Sequence, residues 1–329
     1  MKPNPRVRVC RLDDRQPGDG LLADALSGLS QSPKRLPSKY FYDARGSALF
    51  ERICEQPEYY PTRTELAIMR KHVGEMAAVL GPDVRLVEYG SGSGLKTRLL
   101  LRNLESPVAY VPAEISRSAL DESVAKLERE FPSIEMLPVC TDFTQPIKLP
   151  RAARAPRQTV VYFPGSTLGN FAPEDALRLL RQMRNEAGQG GGALAGGVLI
   201  GIDLVKDRTA LEAAYNDAAG VTAEFTLNLL VRMNHELGAD FDLGAFRHRA
   251  RWHPLAGRIE THIVSRREQD VHVDGRTFHF GAGEAMLVEL SCKYTLDGFA
   301  RVASRAGLRV AGVWTDAARQ FSVQWLACD

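Results

Sequence analysis

Residues 84–101, VRLVEYGSGSGLKTRLLL, place the tightest constraint on what this chain can fold into. An apolar, strand-like run stops at Gly90, Gly92 and Gly94 and restarts as a basic, helix-like stretch. Glycines so close together let a backbone turn tightly and approach a ligand, because no Cβ stands in the way. The stretch opens a series. Strand-like runs VRLVEY (84–89), VAYVPA (108–113), IEMLPV (134–139), TVVYFPG (159–165) and GVLIGIDLV (197–205) alternate with helix-like segments at 95–104, 116–131 and 173–187. Such alternation implies a parallel sheet covered by helices on both faces. GQGGGALAGG (188–197) reads as a flexible surface connection between a helix and a strand.

Outside 84–206 the pattern differs. Residues 21–30, 47–56 and 64–80 carry helix-spaced apolar positions around the aromatic stretch LPSKYFYDARGS. Residues 207–235 read as helical, and 258–266, 270–273 and 276–280 as strands, the last two joined by an Asp-Gly hairpin signal. A helix at 295–306 and strands at 308–315 and 321–327 close the chain. The expected architecture is one doubly wound α/β sheet, interrupted after its fifth strand and completed by the last two strands. The expected boundaries are 64–206 with 291–329 for the sheet domain and 20–63 with 207–290 for a second, α+β substrate domain. Residues 1–19, polar and proline-broken, are expected to be frayed.

Composition excludes several classes of function. A net charge of +2 gives no basic excess of the kind that binds nucleic acid. No apolar run approaches the roughly 20 residues that span a bilayer, and the first residues lack the apolar core of a secretory signal. The five cysteines are scattered with no CxxC pair, and the seven histidines show no HExxH spacing. Reduced thiols and no metal are expected. The expectation is a cytoplasmic monomer acting on a small molecule.

The glycine loop can be narrowed by spacing. A Walker loop needs GxxxxGK[ST], but Lys96 and Thr97 follow Gly94 too soon. A dinucleotide fingerprint needs GxGxxG, and GSGSGL lacks the sixth-position glycine. Glu88, two residues before the first glycine, completes an acid-x-Gly-x-Gly-x-Gly run that resembles class I, Rossmann-like methyltransferases. Two later features agree. The second strand ends at Glu114, whose carboxylate can accept both ribose hydroxyls of S-adenosyl-L-methionine. The third ends in CTDF, where Asp142 can accept the adenine amino group and Phe143 lie against the ring. Acids at strand ends also serve as helix caps or solvated loop residues. A nicotinamide-dependent oxidoreductase and a non-catalytic binding protein remain as competing readings.

Longer segments narrow the reading further. KYFYDARGSALFERICEQPEYYPTRTE, EYGSGSGLKTRLLL, FPGSTLGNF, DLVKD, AYNDAAGVTAEF, NHELGADFDL and EAMLVELSCKY together resemble the histidine Nα-methyltransferases of ergothioneine biosynthesis, over nearly the whole chain from about residue 30. The resemblance implies three methyl transfers from S-adenosyl-L-methionine to the α-amino group of L-histidine, giving hercynine. It implies cofactor contacts from Gly90, Lys96, Glu114, Asp142, Phe143 and Gly165. The family usually has Asp where this chain has Glu114. It implies substrate contacts from Tyr42, Tyr59, Asn170, Tyr215, Glu289 and Ser291, with Asn170 and Tyr42 expected at the reacting amine. A related acceptor, a tryptophan-like amino acid, is the alternative substrate.

The residue types suit that chemistry. Asn170 follows the fourth strand and can hold the amine or carboxylate in line; its other reading is a helix N-terminal cap before FAPED. Tyr42, Tyr59 and Tyr215 offer hydroxyls to a carboxylate and π-faces to an ammonium that grows with each methylation, although half-buried core tyrosines look the same in sequence. Glu289 and Ser291 alternate on LVELS and so share a face, where they can read the two nitrogens of an imidazole. At Thr261 the family usually has Met, so the ring pocket is expected to be larger or more polar here.

Overall fold

The computed structural model describes residues 20–90, 94–189 and 196–328. The expected frayed N-terminus, Gly92 and the middle of the glycine-rich connection lie outside the described residues. In chain order the elements are α1 (Leu21–Leu29), α2 (Ala44–Glu55), α3 (Tyr60–Leu80), β1 (Val84–Tyr89), α4 (Leu95–Asn103), β2 (Ala109–Glu114), α5 (Arg117–Glu130), β3 (Glu135–Met136), β4 (Val139–Cys140), β5 (Gln158–Phe163), α6 (Pro173–Gly188), β6 (Gly197–Asp203), α7 (Arg208–Ala213) and α8 (Val221–Leu237). Then follow β7 (Phe246–His253), β8 (Arg258–Ser265), β9 (Gln269–Val273), β10 (Arg276–Phe280), β11 (Ala285–Cys292), α9 (Leu296–Arg305), β12 (Leu308–Thr315) and β13 (Phe321–Cys328). The chain divides into two compact units. One holds residues 61–204 and 294–328, the other 20–60 and 205–293.

The first unit is built on a sheet of order β12-β13-β6-β5-β1-β2-β3, with β4 also paired to β2. The strands from β3 to β6 run parallel, and β13 and β12 are antiparallel. This is the doubly wound α/β arrangement that the alternating pattern predicts. Alternate side chains of each strand feed opposite cores. Val161 and Phe163 of β5 join Val87, Ile200, Leu180 of α6 and Phe299 of α9 on one face. Val160 and Tyr162 join Leu86, Met76 of α3, Leu101 of α4 and Leu127 of α5 on the other. A strand buried on both faces reads as a continuous apolar run, which is why these strands were visible in the sequence. The run at 134–139 differs from expectation. It forms two short pieces, β3 and β4, because Pro138 has no N–H to give to the ladder.

The second unit packs α1, α2 and α8 against a three-stranded antiparallel sheet of order β11-β8-β7 and the β9-β10 hairpin. Phe41, Phe225, Leu229, Phe246, Ile263, Phe280 and Met286 form its core. The helix expected over 207–235 is broken between α7 and α8. There Asp217 turns back to accept the Val221 and Thr222 N–H groups at 2.7 and 2.8 Å, and Gly220 takes a left-handed φ of 74°. Strand β7 was not foreseen. Its sequence, FRHRARWH, puts Arg247, Arg249 and Arg251 at alternate positions on one face, which hides the apolar alternation. β11 runs unbroken to Cys292, so this unit extends to Lys293 and holds Glu289, Ser291 and Lys293 together.

Pairing between β6 and β13 leaves no space beside Gly197. A Cβ there would lie 2.3 Å from the Leu326 carbonyl oxygen and 2.5 Å from the Trp325 ring. Gly197→Ala is therefore expected to lower the unfolding free energy by about 1–3 kcal/mol in thermal or denaturant melts. Gly74→Ala, with nothing within 4 Å of its Cβ on helix α3, is expected to leave stability unchanged or raise it.

Candidate functional site

In the first unit the carboxyl ends of β5, β1, β2 and β4 meet along one edge. Gly90 N–H donates to the Ala113 carbonyl at 2.9 Å and Thr141 N–H to the Glu114 carbonyl at 3.0 Å, so Gly90, Glu114 and Asp142 follow one another across that edge. Strands β1 and β5 are neighbours whose crossovers lead in opposite directions, the switch point at which such sheets bind ligands. Gly90 and Gly94 have φ of 73° and 68°, which only glycine adopts without strain. Among the described residues, a Cβ at Gly90 would meet only the Phe143 ring, at 3.9 Å.

Glu88, the acid before the first glycine, is taken up by the protein's own donors. It is buried, accepting Thr97 Oγ1 at 2.8 Å on both carboxylate oxygens and the Tyr110 hydroxyl. Thr97 belongs to the first turn of α4 and Tyr110 to β2, so the carboxylate ties together the elements on either side of the glycine loop. Desolvation pushes its pKa up to about 8, against the pull of those two donors and of Lys96.

Lys96 and Gly165 are brought together by a residue that the sequence reading did not single out. Glu65 of α3 is 1% exposed; it accepts the Lys96 ammonium and the Gly165 N–H, the latter at 2.9 and 3.1 Å. It lies over Gly201 of β6, where any Cβ would come within 2.2 Å of its carboxylate. Gly165 (φ 79°) and Ser166 (φ 57°) make a left-handed turn after β5, and Ser166 Oγ accepts the Asp203 N–H at 2.9 Å. In sequence Glu65 is one of several charged residues on a helix, and nothing local marks it.

The CTDF stretch is held from below. Phe143 stacks on Tyr89 with centroids 5.2 Å apart and meets Phe163 edge-on at 5.7 Å. Gln182 of α6, also missed in the sequence, donates to the Phe143 and Gln145 carbonyls at 3.0 and 2.9 Å. Asp142 Oδ1 accepts the Thr144 N–H and hydroxyl at 2.9 and 2.6 Å. Glu114 Oε1 accepts the Ile115 and Ser116 N–H groups at 2.9 and 3.3 Å. Both acids thus also work as local turn-formers, which fixes where their carboxylates stand. Asn170 ends the short 3-10 turn Thr167–Asn170. The position that caps α6 is Ala172, with no side-chain bond, so the capping role considered for Asn170 is not used.

The second unit gathers its own set of predicted residues. Tyr42 meets Phe50 and Phe225 edge-on at 5.7 and 5.5 Å, Phe50 meets Tyr59 at 6.2 Å, and Tyr59 meets Tyr215 at 6.4 Å. Phe50 and Phe225 complete this aromatic cluster and were read only as core positions or not at all. Desolvation, with Tyr215, Cys54, Tyr42 and Glu289 nearby, holds the Tyr59 hydroxyl well above its usual pKa, so it remains a donor. Tyr215 is fixed from behind: His248 Nε2 donates to its carbonyl at 2.8 Å, and the neighbouring Asn216 amide exchanges bonds with Ala250 of β7 at 3.1 and 3.3 Å.

A bulge in β11 decides where Glu289 points. Leu287 pairs with His262 and Glu289 with Thr261, leaving Val288 as the extra residue. Val288 is buried in the hydrophobic core, while Glu289 keeps a path to solvent on the face of Thr261. Thr261 Oγ1 donates to Glu289 Oε2 at 3.1 Å. Thr261, itself buried, thus sets a hydroxyl against the Glu289 carboxylate. Desolvation raises the Glu289 pKa to about 7, against the Thr261 bond and the charge of Lys293. Ser291 Oγ lies 2.6 Å from the Tyr215 hydroxyl, and the buried Lys293 ammonium donates to Tyr215 Oη at 3.0 Å and Ser291 Oγ at 2.9 Å. Lys293 was read only as part of a segment, with no role. Among the described residues no cluster of three or more His, Cys, Asp or Glu is arranged to hold a metal ion, and no helix is long and apolar enough to cross a membrane.

The chain is similar to known proteins along most of its length. The model of a family described as histidine-specific, S-adenosylmethionine-dependent methyltransferases matches residues 21–328. The chain is 42% identical over 311 residues to the histidine N-alpha-methyltransferase of Mycolicibacterium smegmatis, covering 93% of this chain and 94% of that protein. It is 40% identical over 313 residues to the histidine N-alpha-methyltransferase of Mycobacterium tuberculosis, covering 93% and 94%. It is 26% identical over 321 residues to the 4-dimethylallyltryptophan N-methyltransferase of Epichloe festucae var. lolii, covering 91% and 92%.

The environment of Glu88 has a measurable consequence. Folding raises its pKa from an ordinary 4.5 to about 8. Between those values the unfolded chain releases the proton and the folded chain keeps it, so this group's contribution to stability falls as pH rises through that window. In Glu88→Gln, unfolding free energies measured between pH 5 and pH 8 are expected to fall less steeply with pH than in the wild type.

Proposed function

Because the chain belongs to the family of histidine-specific, S-adenosylmethionine-dependent methyltransferases, we propose that it transfers three methyl groups from S-adenosyl-L-methionine to the α-amino group of L-histidine. The products are hercynine and S-adenosylhomocysteine, and the reaction is the first step of ergothioneine biosynthesis. The observation that carries the substrate assignment is the pairing of Glu289, a desolvated carboxylate open to a ligand, with the Ser291–Tyr215 hydroxyls on the same face. One group accepts an N–H and the other can serve the second ring nitrogen, which suits an imidazole.

Residues of the first unit support a site for the methyl donor. Gly90 lies beside Phe143, Lys96 and Gly165 stand together on Glu65, and Glu114 and Asp142 offer carboxylates along the same edge. In this reading Glu114 accepts the ribose hydroxyls, Asp142 the adenine amino group, and Phe143 lies against the base. When bound, S-adenosyl-L-methionine supplies an electrophilic sulfonium methyl whose C–S bond breaks as the amine lone pair attacks, the electron pair remaining on sulfur.

The chain's own residues select and align the amine. In this reading Asn170 and Tyr42 each take a polar group of the amino acid, and alignment of its neutral nitrogen with the methyl makes the reaction effectively unimolecular. Tyr59 and Tyr215 contribute hydroxyls to the carboxylate. No strong base is needed, because the ammonium proton passes to water before each transfer. The aromatic faces accept a nitrogen that loses an N–H donor with each methyl group. Transfer stops at three because the quaternary nitrogen has no lone pair.

Incubation with S-adenosyl-L-methionine and an amino acid panel, read by mass spectrometry, is expected to give a trimethylated product from histidine. Product from tryptophan and none from histidine would overturn the assignment. Glu289→Ala is expected to lower kcat/KM for histidine by about two orders of magnitude with the cofactor dissociation constant unchanged in calorimetry; equal losses in both would make Glu289 structural. Since Glu289 ionises at about 7, kcat/KM for histidine is expected to rise with pH through that value. In Glu289→Gln that part of the profile disappears, leaving only the titrations of the substrate itself.

A further inference from the structure

We propose that Gln182 of α6 is a positioning residue for base selectivity: it fixes the turn that carries Asp142 and Phe143, so that the site distinguishes adenine from hypoxanthine. The inference rests on the cofactor reading above and deepens it by naming what holds the base-reading turn in place.

The turn is a small unit with its own bonds. Gln145 N–H donates to the Asp142 carbonyl at 3.0 Å, and Asp142 Oδ1 accepts the Thr144 N–H and hydroxyl at 2.9 and 2.6 Å. The Asp142 carboxylate therefore moves with the backbone of residues 142–145. On one side of Asp142 the chain is held by β2, through the Thr141 N–H on the Glu114 carbonyl at 3.0 Å. On the other side it is clasped from α6. Gln182 Nε2 donates to the Phe143 carbonyl at 3.0 Å and to the Gln145 carbonyl at 2.9 Å. Carbonyl oxygens only accept, so the amide nitrogen of Gln182, and not its oxygen, faces them. The same nitrogen lies 3.0 Å from the Tyr89 hydroxyl and 3.0 Å from Glu186 Oε1. Glu186, one helical turn along α6 and 1% exposed, accepts the Tyr89 hydroxyl and, at 3.0 Å, the Ile147 N–H. Gln182 and Glu186 thus work as a pair on one helix face, while Leu180 and Met183 of the same helix lie in the core of the sheet.

Adenine presents an exocyclic amino group where hypoxanthine has a carbonyl oxygen. A carboxylate accepts an N–H from the first and meets a second acceptor in the other, which leaves both oxygens without a donor. Reading that difference requires the carboxylate to stand within about half an ångström of its productive position. Phe143 does not supply it, because a ring face stacks on either base. Selectivity therefore depends on how firmly the turn is held, and Gln182 is the side chain that joins two of its carbonyls to the helix.

The test compares the wild type with Gln182→Met, Gln182→Glu, Asp142→Ala and the Gln182→Met/Asp142→Ala double variant. Calorimetry gives the dissociation constants of S-adenosylhomocysteine and S-inosylhomocysteine, which differ only in the base. The wild type is expected to bind S-adenosylhomocysteine about 30-fold or more tightly than its inosyl counterpart. Gln182→Met has the same length and no N–H. It is expected to weaken S-adenosylhomocysteine about tenfold and the inosyl ligand less than about twofold, so that the preference falls about fivefold or more. Gln182→Glu, which sets carboxylate oxygens against the two carbonyls, is expected to lose at least as much. In turnover the loss appears in KM for S-adenosyl-L-methionine, with kcat and KM for histidine within about threefold. The double variant is expected to lose no more preference than Asp142→Ala alone. An unchanged preference in Gln182→Met, equal weakening of both ligands, or preference losses that multiply in the double variant overturn the inference. If Gln182→Met does not fold, Gln182→Glu decides by the same ratio. A wild type without the preference, or an Asp142→Ala variant that keeps it, overturns the placement of adenine at Asp142 and this inference with it. Failure among the Gln182 variants alone leaves that placement standing.

Discussion

Carboxylates taken out of water are the constraint on which the functional edges of this protein depend. A carboxylate in that position must find donors or keep its proton. Glu88 takes Thr97 and Tyr110, and so joins β1, β2 and α4 around the glycine loop. Glu65 takes Lys96 and the Gly165 N–H, and so joins α3 and α4 to the turn after β5. Glu186 takes Tyr89 and the Ile147 N–H at 3.0 Å, beneath the stack of Tyr89 on Phe143. Each bond set links elements far apart in sequence to one of the loops at the carboxyl edge of the sheet.

The same constraint acts differently in the second unit. Glu289 has one neutral donor, Thr261, and the nearby charge of Lys293, and it keeps a path to solvent. Its pKa of about 7 places it near the point where a ligand N–H decides its state. Glu88, enclosed by its donors, instead holds the structure together. One type of side chain thus serves as a brace in one unit and as a candidate recognition group in the other. The difference lies in whether the donors come from the protein alone.

How much of this was legible in the sequence depends on the range of the interaction. Strands β1, β5 and β6 were readable because they are buried on both faces and so are rich in apolar residues. The left-handed positions Gly90 and Gly94 were readable because few other residues tolerate that backbone. β7 was not, since its outward arginines mask its inward residues. Glu65, Gln182 and Lys293 were not read either, because each acts on a partner that no local pattern announces: Gly165, Phe143 and Tyr215. The capping role for Asn170 was plausible from residue type alone, and only the placement of Ala172 at the start of α6 removed it.

The sequence by itself determined the doubly wound sheet and the left-handed glycines after its first strand, since periodicity and glycine positions are local properties, and whole segments carried the resemblance to the family. Tertiary structure decided the direction and charge of the polar groups. The bulge at Val288 sets the face that Glu289 shares with Thr261, desolvation sets its proton affinity, and folding brings the Lys293 ammonium to the Tyr215 and Ser291 hydroxyls. These depend on which distant segments exclude water from a given atom, and that is a property of the folded chain.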